Sequence, residues 1–145
     1  RVRATQEMPA SAERARALLT DWPSHSRWIP ATVVSVVEDT GGVGTRFVGR
    51  SALGRLGFDD SMTVTVFDPP TTTHAGRCEI VKTGSVVLGT AGFTVTPTGP
   101  GTSSVTWWED VEVAPVRLTR WADPISARLA AYGFARVLRA AAAEL

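Results

Sequence analysis

The sequence predicts an α+β fold: a seven-stranded antiparallel sheet, two short helices after strand 1 and one long C-terminal helix. Three observations carry that prediction. Six strand-like, largely β-branched runs follow one another between Thr32 and Val113, separated only by short turns. That is the pattern of an antiparallel meander. Ahead of them stand one more strand-like run and a short amphipathic segment. Behind them, Pro124–Leu145 has no proline after its first residue and is rich in Ala, Leu and Arg, as one long helix should be.

Val2–Met8 reads as strand 1 and is closed by Pro9. Ser11 offers a helix cap, and Glu13 sits in the first turn, near the positive end of the helix dipole. Ala15, Leu18, Leu19 and Trp22 then recur at helical spacing and form one apolar face. Pro23 stops this helix or opens a second short one. Thr32–Glu38 ("TVVSVVE") is the next strand, and "DTGGVG" the turn after it. Thr45–Ser51 and Ser61–Phe67 follow, joined through "LGRLG", and Asp68–Pro70 turns the chain again. The remaining strands lie near His74–Val81, Val86–Val95 and Ser103–Val113, divided by "KTGS" and "TPTGPGT". Asp123 is a candidate cap for the last helix. No repeat, low-complexity tract or linker divides the chain, so residues 1–145 are expected to form one domain. A chain of this length buries roughly 68–70% of its unfolded surface, enough for a real core.

Composition excludes several function classes. Fifteen basic and 14 acidic residues leave a net charge of +1, so no field draws nucleic acid or acidic lipid. No apolar run approaches ~18 residues, and no charged-then-apolar leader is visible. Neither a membrane span nor a signal peptide is expected. The chain opens on Arg1 rather than methionine, so residues upstream are expected. Cys78 is the only cysteine, which rules out an internal disulfide and fits a reducing, cytoplasmic compartment. Lys82 is the only lysine among abundant Ala, Gly and Pro, a usage that fits a GC-rich bacterial genome.

Familiar catalytic motifs fail one by one. His25, His74 and Cys78 match no zinc spacing, so no metal and no cofactor are expected. "GGVGTRF" has Phe47 where a dinucleotide loop needs its third glycine, and it lies between strands. "GRSAL" has Leu53 where a nucleophile elbow needs glycine, and "KTG" lacks an S-x-x-K partner because Lys82 stands alone. His25 lies in a polar turn, "PSHSR", with no carboxylate at partner spacing, and reads as solvated or capping. His74 reads as an ordinary turn residue.

Five stretches, taken as an ordered set, carry a resemblance that spans nearly the whole chain. They are "MPASAERARALLTDWPSHSRWIPA", "GGVGTRF", "VTVFDPPTTTH", "FTVTPTGPGTSSVTWWEDV" and the long C-terminal helix. In this order they resemble the START/Bet v 1-like (SRPBCC) superfamily, particularly its polyketide cyclase/dehydrase-like bacterial branch. The resemblance implies a helix-grip fold, with the sheet curled around the C-terminal helix, a cavity between them and the two short helices closing one end. It also implies a small hydrophobic ligand: a polyketide, a lipid or another aromatic compound. An enzyme that cyclises or dehydrates a polyketide-like substrate in the same cavity is the alternative. A protein-interaction module with a filled core is the third reading. Oligomeric state is not legible.

Residue patterns suggest which side chains such a cavity would meet. In "SSVTWWEDVEV", alternation puts Val105, Trp107, Glu109, Val111 and Val113 on the more apolar face. A carboxylate there needs a partner or its pKa rises. Arg46 or Arg77 are the candidate partners. Glu109 is then either a paired rim carboxylate or an acid or base acting on the ligand, the one weak catalytic candidate. Phe47 and Gly49 share a face, as do Met62, Val64 and Val66, and as do Gly89, Ala91, Phe93 and Val95. Each set is core or cavity wall, and the small members favour a hollow. On the last helix Leu129, Ala130, Gly133, Phe134, Val137, Leu138 and Ala141 oppose Arg128, Arg136 and Arg139. The middle of that apolar face is small: Ser126, Ala130, Gly133 and Val137. A helix-interior glycine costs roughly 1 kcal/mol against alanine. Gly133 therefore serves close packing or leaves room for a ligand. Trp22 reads as a structural staple and Trp28 as nearer the cavity mouth. The expected ligand wall is Trp28, Phe47, Gly49, Val64, Phe93, Trp107, Glu109, Ala130, Gly133, Phe134 and Val137. Trp108, on the outward face, and Trp121 are the candidates for a surface patch.

Overall fold

A computed structural model describes residues 1–53, 55–113 and 123–145. The chain begins with β1 (Val2–Met8) and α1 (Ala12–Leu19). A 3-10 turn (Trp22–Ser24) runs straight into α2 (His25–Trp28). Six strands follow: β2 (Thr32–Glu38), β3 (Arg46–Leu53), β4 (Leu56–Asp68), β5 (Gly76–Thr83), β6 (Val87–Gly99) and β7 (Thr102–Val113). The last element is α3 (Asp123–Ala142). All seven strands pair antiparallel in the order β1-β7-β6-β5-β4-β3-β2. The long helix packs along β1 and against α1 and α2. This is the helix-grip arrangement, and the α+β expectation with seven antiparallel strands is met. Trp121 lies outside the described residues, as do Gly54 of the "LGRLG" turn and the side chains of Val113, Asp123 and Ser126.

Local chemistry explains the joints. Ser11 accepts a hydrogen bond from the Arg14 backbone N–H at 3.2 Å, capping α1. Ala15, Leu19 and Trp22 bury the apolar face expected of it. Ala31, directly after Pro30, takes φ +56°, a left-handed conformation that turns the chain from α2 into β2. β4 starts at Leu56 rather than Ser61, because the β3–β4 hairpin stays paired to Leu53↔Leu56. Asp59 and Asp60 are poor strand formers. Here each has a cation across the sheet, Arg50 at 3.4 Å and Lys82 at 2.6 Å.

The core centres on Met8, Leu19, Val64, Phe93, Val95, Val105 and Leu138, all nearly inaccessible. Each such side chain contributes about 1.5–3 kcal/mol by leaving water. Trp22 stacks on Phe47 with ring centroids 4.1 Å apart, joining the helical corner to β3. On the outer face Trp108 is half-buried and lies over Gly92, where a Cβ would sit 2.9 Å from the indole. The Arg1 guanidinium covers the same ring at 4.5 Å. Trp108 is thus packed onto the sheet and offers no free patch.

Candidate functional site

Two adjoining hollows, called lobes below, lie between the sheet and α3 and share part of their walls. One lobe, about 300 Å³, runs under β2–β5, where Phe47, Gly49, Met62, Ile80 and Lys82 face it. The other, about 280 Å³, runs under α3, against Ala130, Gly133, Val137 and Leu138. His25, Ile29, Trp107, Glu109 and Phe134 border both lobes and mark their junction.

Eight of the residues expected from the sequence line this space: Phe47, Gly49, Trp107, Glu109, Ala130, Gly133, Phe134 and Val137. Val64, Phe93 and Trp28 do not. Val64 and Phe93 point inward but are closed off as core; Phe93 lies beneath Trp107, 5.5 Å between centroids. Trp28 is buried elsewhere. Its indole N–H donates to the Glu144 carboxylate, which also takes the Arg27 guanidinium at 2.5 Å. Arg27 first, then Trp28, hold the Glu144 carboxyl below the usual carboxylate range. Trp28 therefore ties α2 to the end of α3.

The polar end of the cavity differs from expectation. Arg46 and Arg77 are not partners of Glu109. With Phe47 and Cys78 pointing inward, both arginines point out, where Arg46 meets Glu38 at 3.0 Å and Arg77 meets Glu79 at 3.5 Å. The cation is Lys82, only 7% exposed. Its Nζ lies 2.6 Å from Asp60 Oδ2 and 3.9 Å from Glu109 Oε1. Register explains the meeting. Met62 of β4 pairs with Lys82 of β5, and Asp60 is one same-face step away. Glu109 reaches across β6, where the intervening residues are Gly89 and Ala91. Neither glycine nor alanine blocks the path. Asp60 Oδ1 is buried without a hydrogen-bond partner among the described residues.

Glu109 is 13% exposed and accepts a bond from Trp107 Nε1 at 3.4 Å. Burial pushes its carboxyl above the usual range, and Asp60 adds to the push; Lys82 and Trp107 oppose it. A raised folded pKa means the folded state holds that proton more tightly, so its stability falls as pH rises through this range. Glu109→Gln is expected to unfold at higher urea concentration than wild type at neutral pH, with the gap closing toward pH 4.5. A variant less stable at neutral pH would make the carboxylate a net stabiliser through Lys82.

His25 keeps one half of its expectation and loses the other: it caps, bonding the Leu19 carbonyl at the end of α1, but it is not solvated, being 5% exposed. The polar letters around it are consumed locally, with Ser24 donating to Asp21 at 2.6 Å and Ser26 accepting from the Val34 N–H at 2.8 Å. His25 Nε2 stands 2.7 Å from the Leu19 carbonyl, which only accepts, so Nε2 carries the proton. Trp22, Trp28 and Trp107 surround the ring at 5.1–5.8 Å. Burial lowers its pKa and keeps the imidazole neutral, leaving Nδ1 as a lone-pair acceptor with no partner among the described residues. Cys78 offers no nucleophile: burial pushes its thiol up to about 12. Among the described residues no cluster of His, Cys, Asp or Glu is arranged to hold a metal, and no helix is long and apolar enough to cross a membrane.

A family model described as "Polyketide cyclase / dehydrase and lipid transport" matches residues 1–145. The chain belongs to that family. Curated protein sequences give no match. Among solved structures, this family member is similar to TTHA0849 from Thermus thermophilus, at TM-score 0.71 and 16% identity, covering 97% of this chain and 93% of that one. The human StarD13 lipid transfer and protein localization domain matches at TM-score 0.72 and 14% identity, over 92% of this chain and 72% of that one. The Zhui aromatase/cyclase from Streptomyces sp. R1128 matches at TM-score 0.66 and 14% identity, over 97% and 93%. At such identities the likeness is one of fold.

Sequence reasoning misses His25, Lys82 and Asp60. A signal exists for Lys82. Cys78, Ile80 and Lys82 alternate on one inward face, so a buried lysine is readable from the strand itself.

Proposed function

We propose that this chain, as one domain, binds a small hydrophobic and largely aromatic molecule in the cavity between the sheet and α3. Gly133 carries the reading. A Cβ built there would meet nothing within 4 Å. The glycine is therefore not required by close packing, yet it costs the helix roughly 1 kcal/mol. Unfilled space under a helix, bordered by Trp22, Phe47, Trp107 and Phe134, suits an apolar ligand with few polar groups. The family description names polyketide and lipid chemistry, and the names of StarD13 and Zhui point the same way. The single cysteine keeps a reducing, cytoplasmic setting within the proposal.

Tryptophan fluorescence tests it, with flavonoids, a tricyclic polyketide and fatty acids as titrants and Trp107 as the reporter. Saturable binding is expected, and Gly133→Leu should weaken it at least tenfold while leaving the fold intact by circular dichroism. A well-folded protein that binds nothing in the panel would favour the filled-core interaction module instead.

A second reading, an enzyme of the cyclase/dehydrase type, is favoured by one observation. The junction of the lobes brings together a buried carboxyl and a neutral imidazole with a free lone pair, Glu109 and His25. Such a pair can move protons on a substrate held out of water. Turnover of a bound polyketide, lost in Glu109→Gln, would establish it.

A further inference from the structure

We propose that the ligand is a hydrophobic amine, seated with its protonated nitrogen against the Glu109 carboxylate at the junction of the two lobes. The inference rests on the reading that the cavity binds a small molecule, and it names the chemistry of that molecule's polar end.

The first support is an inventory of donors and acceptors. Three acceptors around the first lobe lack donors among the described residues: Glu109 Oε2, Asp60 Oδ1 and His25 Nδ1. Most donors nearby are already engaged. One Lys82 N–H goes to Asp60 Oδ2 and another to the Met62 sulfur at 3.8 Å. The Trp107 N–H goes to Glu109 Oε1, the Thr32 hydroxyl donates to the Pro30 carbonyl at 3.1 Å, and the Ser51 hydroxyl donates to Thr32 Oγ1 at 2.8 Å. Asp60 Oδ1 is fully buried, where an acceptor without a donor is costly; Glu109 Oε2 and His25 Nδ1 open onto the lobe, so a ligand that displaces water from it has to supply their donors. An ammonium supplies three and accepts none.

The second support is charge. Lys82 faces two carboxylates, Asp60 from β4 and Glu109 from β7. The one cation is matched by Asp60 at 2.6 Å, while Glu109 stands off at 3.9 Å. A carboxylate ligand would bring a third negative charge into this apolar space. An ammonium would complete a two-by-two arrangement. The walls favour it further, because Trp107 and Phe134 border the same junction and aromatic faces attract cations. His25, the remaining polar neighbour, contributes a lone pair and no charge. An arriving ammonium would also hold the Glu109 carboxyl ionised against the pull of burial.

The experiment uses three probes of one shape and different heads: naphthylethylamine, naphthylethanol and naphthylacetic acid. Calorimetric titration at neutral pH should find the amine about tenfold tighter than the alcohol, as a charge-assisted hydrogen bond is over a neutral one. The acid should bind weakest. In Glu109→Gln the ratio between amine and alcohol should collapse toward unity. An acid or alcohol that binds as tightly as the amine overturns the inference while leaving the cavity reading in place. An amine preference undiminished in Glu109→Gln removes Glu109 as the counterion and overturns it too. If none of the three binds, the cavity reading falls and this inference falls with it.

Discussion

Lys82→Met should lower folding stability by about 3–5 kcal/mol, because it removes one partner of a buried ion pair and leaves the charge behind. Methionine keeps most of the lysine stem, so the loss of packing is small. What disappears is the cation that Asp60 meets at 2.6 Å and Glu109 at 3.9 Å. One Asp60 oxygen is already buried without a partner among the described residues. After the substitution the second is stranded as well. Lys82 also opposes the upward push on Glu109, so its removal lifts that carboxyl further. The deficit should therefore deepen as pH rises and shrink in mild acid. Urea denaturation at both ends of that range measures it. Adding Asp60→Asn to Lys82→Met should recover part of the loss, since the stranded charge goes with it. A loss under about 1 kcal/mol would match a solvated pair, and the polar end of the cavity would then be open to water.

The fold is legible because each element announces itself alone. β2 and β7 show β-branched and aromatic alternation, and α3 is an Ala- and Leu-rich run without an internal break. Cavity positions are legible where one element decides the matter. Trp107 with Glu109 on β7, Phe47 with Gly49 on β3, and the small stripe of α3 all follow from a single period. What fails needs two elements at once. Val64 and Phe93 do face inward, but whether inward means core or cavity depends on what stands opposite. Trp28 reads as a mouth residue from the sequence because its true partner, Glu144, lies 116 residues away in the chain. Lys82 and His25 escape notice because lysine and histidine are seldom fully buried. Their positions, not their residue types, carry the information.

Gly89→Ala and Gly49→Ala should part company, although the sequence treats the two glycines alike as space-makers. Gly89 has φ +133°, a conformation that side-chain-bearing residues rarely adopt. A Cβ there would lie 2.8 Å from the Val111 Cα and closer still to the Asp110 carbonyl oxygen. These are backbone atoms of the neighbouring strand β7, so the ladder itself must move. Backbone strain and overpacking together should cost about 2–5 kcal/mol. Gly89 is not part of the cavity wall; its job is the close approach of β6 to β7. Gly49 is different. A Cβ there meets the Thr32 methyl at 3.6 Å and the Met62 methyl at 3.7 Å, ordinary contact distances. Alanine at a strand-interior glycine should then add about 0.5–1 kcal/mol of stability. Its methyl would, however, occupy part of the larger lobe, which Gly49 borders. So Gly89→Ala should shift the urea midpoint sharply down, while Gly49→Ala holds or raises it and weakens ligand binding. Equal midpoints for the two variants would mean that β6 can relax away from β7 at Gly89. The gap across β6 that lets Lys82 approach Glu109 would then be adjustable rather than built into the backbone.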